Sequence, residues 1–555
     1  MSGTAAAGMP LRSYRLHRYV TAFCPHCHAQ DPSAPLESVA RLSGYLVEEE
    51  GRIWLVRACR THGRVVTLYD ESPEILRYLE EWTAPTKAHV PDRPGNFAPV
   101  PEAYLSGLPE MQTQHTCILL EDVIQGCNLR CPTCFAESSP DQAGVVPAAH
   151  VIANVDARLA RENGRLDVVM VSGGEPTVHP DLTTILRELA DRPVSRIVLN
   201  TNGIRIAQDD ALVEWLAAHR DRVEVYLQYD GRRPASYRAH RGGDLLRWKE
   251  AAVGRLSSAE VFSTLTMTAS LDVNDDEIGA VVLRALQTPY VAGVSIQPQF
   301  GSGRSVGINP TDRLTHTGVL ARLGPQTDGL VQWRDLTALP CSHPHCCSVG
   351  YLIRTDNGEW RSLPSIIGHE QLKTYLGLVS NRIGDWQLAP QVRELVKQSL
   401  LGLLSDEASL AQPRVWRLLR DVCQNCDLGM TTLVRLAGEG LVGSNRKVRG
   451  LMAGRIKRVA VKPFMDMSTM IEERLVQCCV HVGTVGDDQS GQCAPFCAVQ
   501  AWTALSAQKL ARRAAAREMA LDPGSPGTQP GPALEILSGF PRRCGALCST
   551  TPPST

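Results

Sequence analysis

Residues 125–137 read "QGCNLRCPTCFAE", a loop in which Cys127, Cys131 and Cys134 are spaced C-x3-C-x2-C with no fourth cysteine close behind. A structural zinc site closes with four ligands, whereas a catalytic metal site keeps one position open. Three thiolates can also hold three irons of a 4Fe–4S cluster and leave the fourth unligated. The flanking sequence decides between these readings. An apolar run, "CILLEDVI", precedes the loop, and further short runs follow it: "LDVVMVS", "RIVLNTN", "VEVYLQYD", "VFSTLTMT" and "GVSIQPQ". Between them, "HPDLTTILRELADR" and "DDALVEWLAAHR" carry Leu and Trp at helical spacing. Buried strands alternating with helices predict a parallel sheet. Six such units across 116–300 suit an α/β partial (β/α)6 barrel, with its chemistry at the carboxyl ends of the strands. The cysteine loop follows the first strand and so opens at that end.

Polar residues recur at the same level. The second strand ends in "VSGGEPTVHP", where Gly173 and Gly174 permit close backbone approach and the Glu175 carboxylate can accept from an ammonium. The third ends in "LNTNG", with Asn200 and Asn202, and the fourth in "YLQYDG", with Gln228 and Asp230. With these features, residues 116–300 resemble the radical S-adenosylmethionine (SAM) superfamily. The resemblance implies that Cys127, Cys131 and Cys134 bind a 4Fe–4S cluster whose open iron chelates the amino and carboxylate groups of SAM. It implies that the GGE stretch meets the methionine amino group, and that one electron cleaves SAM to methionine and a 5′-deoxyadenosyl radical. Thr133 departs from the family pattern, which commonly has an aromatic residue before the last cysteine.

At 555 residues, with 43% hydrophobic and 21% charged residues, the chain predicts a globular protein of two to four domains. A formal charge of −1 gives no electrostatic footprint for nucleic acid, and Arg512, Arg513 and Arg517 read as a solvated helix face. No apolar run is long enough to span a bilayer and the start lacks a signal-peptide core, so a cytoplasmic enzyme is expected, in reach of the inner face of the membrane. The pattern divides into an N-terminal metal domain (1–84), a linker (85–115), the barrel core (116–300), a mostly helical auxiliary-cluster domain (301–460), a cysteine-rich cluster domain (461–510) and a helix end with a disordered tail (511–555).

Eighteen cysteines in a reducing compartment predict metal ligands rather than disulfides. "CPHC" and "CRTHG" supply Cys24, Cys27, Cys59 and His62, a tetrahedral mononuclear iron or zinc set that staples a rubredoxin-like domain, with His26 and His28 as exposed neighbours. "PCSHPHCCSVGY" and "DVCQNC" supply Cys341, Cys346, Cys423 and Cys426 for an auxiliary 4Fe–4S cluster, Cys346 fitting better than Cys347. "QCCVHV" and "GQCAPFC" supply Cys478, Cys479, Cys493 and Cys497 for a second. Zinc is the competing occupant of both, and buried thiols near Phe464 and Phe496 compete for the second. Cys117 reads as a lone buried thiol; Cys544 and Cys548 receive no role.

The order of "CPHC…CRTHG", a radical SAM core, "PCSHPHCC" and "KPFMD…ERLVQCCVH…PFC" resembles the tetraether lipid synthase group across residues 20–505. That resemblance implies three 4Fe–4S clusters, one mononuclear iron, a long-chain lipid substrate whose alkyl carbons are coupled, and a low-potential donor such as ferredoxin or flavodoxin. "LVKQSLLGLL" and "GVLARL" are the stretches that could line an alkyl tunnel, though ordinary core packing explains either. The alternative within enzymes is a radical SAM methylase or tailoring enzyme on a pterin-like small molecule, because relatives with the same N-terminal "CPxC" module include such enzymes. The alternative from another class is a zinc-rich scaffold without catalysis.

Overall fold

The computed structural model describes residues 14–31, 41–82, 116–370 except 143, 163, 340 and 341, then 372–373, 450, 453–483 and 493–501. The expectations on Cys341, Cys423, Cys426, Cys544, Cys548, the linker, the "LVKQSLLGLL" stretch, the arginine patch and the tail lie outside these residues.

Six parallel strands form the centre: β5 (Ile118–Ile124), β6 (Leu166–Gly173), β7 (Val194–Thr201), β8 (Val223–Gln228), β9 (Ser263–Ala269) and β10 (Val291–Pro298). They pair in sequence order, each joined to the next by at least one helix, as the alternating pattern predicts. Strand alternation sorts their side chains. Val169, Val171, Ile197, Leu199, Val225 and Leu265 pack outward with the covering helices, while Leu120, Met170, Val198 and Tyr226 face inward with Phe300 and Met465.

The sheet stays open. Beyond β10 lies β14 (Ile456–Val461), parallel to it, and beyond β5 lies β15 (Val480–Gly483), parallel to β5. Antiparallel strands then follow on both sides: β11 (Thr337–Ala338), β12 (Ser348–Arg354) and β13 (Trp360–Ser362) beyond β14, and β16 (Cys493–Pro495) beyond β15. The described strands after residue 301 therefore extend the core sheet. The "GVLARL" stretch sits in the helix His316–Gln326, and its Val319, Leu320 and Leu323 are core residues, not the wall of a tunnel.

The N-terminal sheet, β1 (Arg15–Phe23), β2 (Arg41–Glu49), β3 (Arg52–Cys59) and β4 (Gly63–Asp70), is an antiparallel meander. It is bound to the core at several points. Ala22 bridges Ile471, the Thr21 amide donates to Glu473, and buried Arg57 donates to the Ser468 carbonyl. Asp70 accepts from both the amide and hydroxyl of Thr317.

Candidate active site and metal centres

The loop after β5 is held by its neighbours' backbones. Gly173 takes φ +122°, and a Cβ there would meet the Ile124 carbonyl oxygen at 2.3 Å; one on Gly174 would meet the Gly126 oxygen at 2.1 Å. Their bareness lets the Gly174 amide donate to Ile124 O (2.7 Å) and the Glu175 amide to Gly126 O (2.9 Å), so the end of β6 carries the cysteine loop. From the other side, the Arg304 guanidinium donates to the carbonyls of Cys131, Glu137 and Ser138, and the Arg304 amide to that of Cys134.

A cavity of about 890 Å³ opens here, lined by Cys127, Cys131, Cys134, Gly173, Gly174, Glu175, Asn200, Asn202 and Gln228, all expected from sequence. Burial pushes the Cys127 thiol up to about 12, reinforced by Glu175 and the two neighbouring cysteines; a metal is what makes such a thiol a thiolate. The Cys24–His62 group is the one set of three or more His, Cys, Asp or Glu ligand atoms among the described residues lying within 4.8 Å of one another. Cys127, Cys131 and Cys134 line the cavity together, three thiols that could hold three irons of a cluster.

Two expected ligand residues do other work. Glu175 is buried, and its carboxylate is saturated: Oε1 accepts from the Thr177 amide (3.1 Å), Thr177 Oγ1 (2.5 Å) and Thr201 Oγ1 (2.5 Å), and Oε2 from the Asn202 amide (2.7 Å). It braces β6 against β7 while it also lines the cavity. Asp230 is wholly buried behind the cavity, paired through two bonds to Arg241 (2.7 Å each). Burial pushes its carboxyl up, but Arg241 outweighs this and holds it at about 2. Arg241, which the sequence reading missed, lines the cavity near Cys131. Nothing in "AHRGG" marks it, since only the fold brings Asp230 and Cys131 to it. Thr133 Oγ1 donates to the His240 carbonyl at 3.2 Å.

In the N-terminal sheet, Cys24, Cys27, Cys59 and His62 converge. His62 Nδ1 lies 3.6, 3.4 and 3.6 Å from the three sulfurs, and the Cys27 and Cys59 sulfurs are 3.6 Å apart. A metal bonded at about 2.3 Å to sulfur and 2.0 Å to nitrogen spaces tetrahedral ligands at roughly these distances. Burial pushes the Cys59 thiol up, yet the backbone amides of His62 and Thr61 prevail and lower it to about 6. Gln30 steadies the outer nitrogen of His62 at 3.1 Å, so this is a Cys3His metal site with its supporting shell.

A second cavity, of about 910 Å³, lies toward the amino ends of the strands. Cys346, Cys478 and Cys497 meet there around Arg474, whose Nε donates to Cys346 Sγ at 3.3 Å. Cys347 and Cys479 pack with Cys117 and line the same cavity, so Cys117 is not alone. Cys493 departs from its expected group: it packs in the main core, beside Thr116 and Arg158. Four phenylalanines part the two cavities. Phe135 and Phe300 line the first, Phe464 and Phe496 the second, with ring centroids 4.5–6.3 Å apart.

Residues 122–285 match the family described as the Radical SAM superfamily, and residues 16–71 match the HMPTM N-terminal zinc ribbon domain. The chain is 23% identical over 503 residues to a 7,8-dihydro-6-hydroxymethylpterin dimethyltransferase of Methanocaldococcus jannaschii, covering 87% of this chain and 93% of that protein. It is 30% identical over 166 residues to a GTP 3',8-cyclase of Chlorobaculum tepidum, covering 29% of this chain and 47% of that one. Among solved structures, S-adenosylmethionine-bound SuiB of Streptococcus suis aligns with a TM-score of 0.32 at 16% identity, over 39% of this chain and 47% of that one. A radical SAM methyltransferase from Sphaerobacter thermophilus aligns with a TM-score of 0.28 at 14% identity, over 52% and 74%. The likeness to tetraether lipid synthases is corrected by these findings. No helix among the described residues is long and apolar enough to cross a membrane, and the relative matched almost end to end is named for a pterin.

Proposed function

We propose that this chain, a radical SAM enzyme, acts on a pterin-like small molecule, to which it adds a methyl group or makes a comparable radical modification. The match of residues 122–285 to the Radical SAM superfamily argues against the zinc-scaffold alternative. The observation that carries the substrate reading is the near end-to-end match to the pterin dimethyltransferase.

In this reading Cys127, Cys131 and Cys134 hold the 4Fe–4S cluster, which when bound supplies the electron that cleaves SAM to a 5′-deoxyadenosyl radical. The protein's part is placement. Gly173 and Gly174 bring the end of β6 against the cluster loop, Arg304 fixes the loop's carbonyls, and Arg241 sets a positive charge beside Cys131. Asn200, Gln228 and Gln297 present amides toward the cavity, the donor and acceptor groups that the edge of a pteridine ring demands. Phe135 and Phe300 close the inner wall with apolar surface, which keeps water from a radical intermediate.

We extend the proposal to the auxiliary cysteines. Cys346, Cys478 and Cys497 hold one further 4Fe–4S cluster, and four of Cys341, Cys347, Cys423, Cys426 and Cys479 hold another, so three clusters remain the proposed count while their ligands are regrouped. A low-potential donor such as ferredoxin or flavodoxin supplies the electron.

The test is anaerobic incubation of reconstituted protein with SAM, dithionite and 7,8-dihydro-6-hydroxymethylpterin, followed by mass spectrometry. Deoxyadenosine release that depends on the pterin, with a methylated pterin product, supports the proposal. Deoxyadenosine formed at the same rate without the pterin, and no modified pterin, refutes it.

A further inference from the structure

Arg474 is buried, and what it touches is unusual for a buried arginine. Its Nε donates to Cys346 Sγ (3.3 Å) and its Nη2 donates to the Pro463 carbonyl (2.6 Å), with Tyr69 nearby. The groups that favour its charge are Cys346, Tyr69 and Cys497; no carboxylate among the described residues lies within ion-pair distance. A buried cation is costly unless an anion faces it, and three neutral thiols provide none. Thiolates ligating a metal centre do. The cavity's other unpaired cation, Lys462, turns to the Tyr226 hydroxyl and ring, away from the sulfurs.

Tyr69 lies on β4 of the N-terminal sheet and is fully buried; its hydroxyl pairs with Nδ1 of His345 at 2.9 Å. The guanidinium thus lies between the cysteine cavity and the domain that carries the Cys3His site.

We propose that Arg474 is the positioning residue that compensates the charge, and so sets the reduction potential, of the centre at Cys346, Cys478 and Cys497, with the Pro463 carbonyl holding it in place. The inference rests on the reading that these cysteines ligate a cluster. A hydrogen-bonded cation beside a cluster sulfur favours the reduced, more negative state and raises the potential. Removing it lowers the potential.

The experiment uses full-length protein carrying Cys127→Ala, Cys131→Ala and Cys134→Ala, so that the SAM cluster does not obscure the other signals. Iron and acid-labile sulfide are measured after anaerobic reconstitution. A redox titration followed by electron paramagnetic resonance then gives the midpoint of the signal that Cys346→Ala abolishes. With Arg474→Met, iron should stay and the reduced-to-oxidised ratio at the original midpoint should fall at least tenfold, a drop of about 59 mV for one electron. An unchanged or raised midpoint overturns the role of Arg474. If Arg474→Met does not hold its iron, Arg474→Lys decides: a midpoint lowered by less than that amount supports the proposal, and one unchanged or raised overturns it. If the parent protein holds no sulfide and no signal is lost in Cys346→Ala, the cluster reading has failed and this inference falls with it.

Discussion

Glu175→Gln separates two roles for the acid of the GGE stretch. As a ligand it would offer a free oxygen to the ammonium of SAM. As the structure places it, the carboxylate already accepts four hydrogen bonds, two from backbone amides and two from hydroxyls. Glutamine has one accepting oxygen and an NH2 that cannot accept. The hydroxyls of Thr177 and Thr201 can rotate to suit, but the amides of Thr177 and Asn202 sit at opposite oxygens, so either orientation leaves one buried amide facing an N–H. An unsatisfied buried donor costs about 1–3 kcal/mol, and the surviving bonds each lose roughly 1 kcal/mol with the charge. The sum is about 3–5 kcal/mol, which at roughly 2–4 °C per kcal/mol for a core of this size lowers the melting temperature by about 10 °C. The assay is thermal unfolding by circular dichroism without SAM, beside SAM binding by calorimetry. A comparable loss of melting temperature with and without SAM is expected. Melting unchanged without SAM, together with a tenfold or greater loss of SAM affinity, would refute the brace and favour the ligand role.

Asp230→Asn leaves Arg241 as an unpaired buried cation and should destabilise the core by about 3–5 kcal/mol, read as a fall in urea midpoint; a change below about 1 kcal/mol counts against the pairing. Because Asp230 sits at about 2 in the fold against an ordinary 3.8, the pair's contribution is complete above about pH 4 and is lost as pH falls through 2. Lys457, buried on β14 with Nζ donating to the Thr288, Val291 and Ala453 carbonyls, is lowered by burial to about 7 from an ordinary 10.5. The folded state therefore sheds a proton that the unfolded state keeps. Wild-type stability relative to Lys457→Met should rise between about pH 7 and 10, by at most about 4 kcal/mol, and a flat difference in paired urea titrations would contradict the shift. Cys59→Ser should strip the metal from the N-terminal sheet and lower its melting point, checked by elemental analysis and thermal melts; full retention of the metal would show that Cys59 is not a ligand.

The parts of this molecule legible in its sequence are those where one local pattern decides. Alternating apolar runs put β5 to β10 in order, and "CPHC" with "CRTHG" placed four ligands on two turns that must meet. The bonds that tie Glu175 into the fold are not legible, because its partners, Thr201 and Asn202, lie at the end of the next strand, and no motif around "GGE" encodes them. The grouping of the auxiliary cysteines is hard to read for a related reason. Spacing treats Cys346 with Cys347, and Cys478 with Cys479, as single units, yet the two members of each pair have different neighbours. The first member of each pair meets Cys497 and Arg474, and the second meets Cys117. The strands that follow these dipeptides, β12 and β15, lie on opposite flanks of the six-stranded centre. An open barrel brings its flanks toward each other, so cysteines more than a hundred residues apart converge. A doubled cysteine at the entry of such a strand can serve two sites at once, and its meaning lies in which flank faces it.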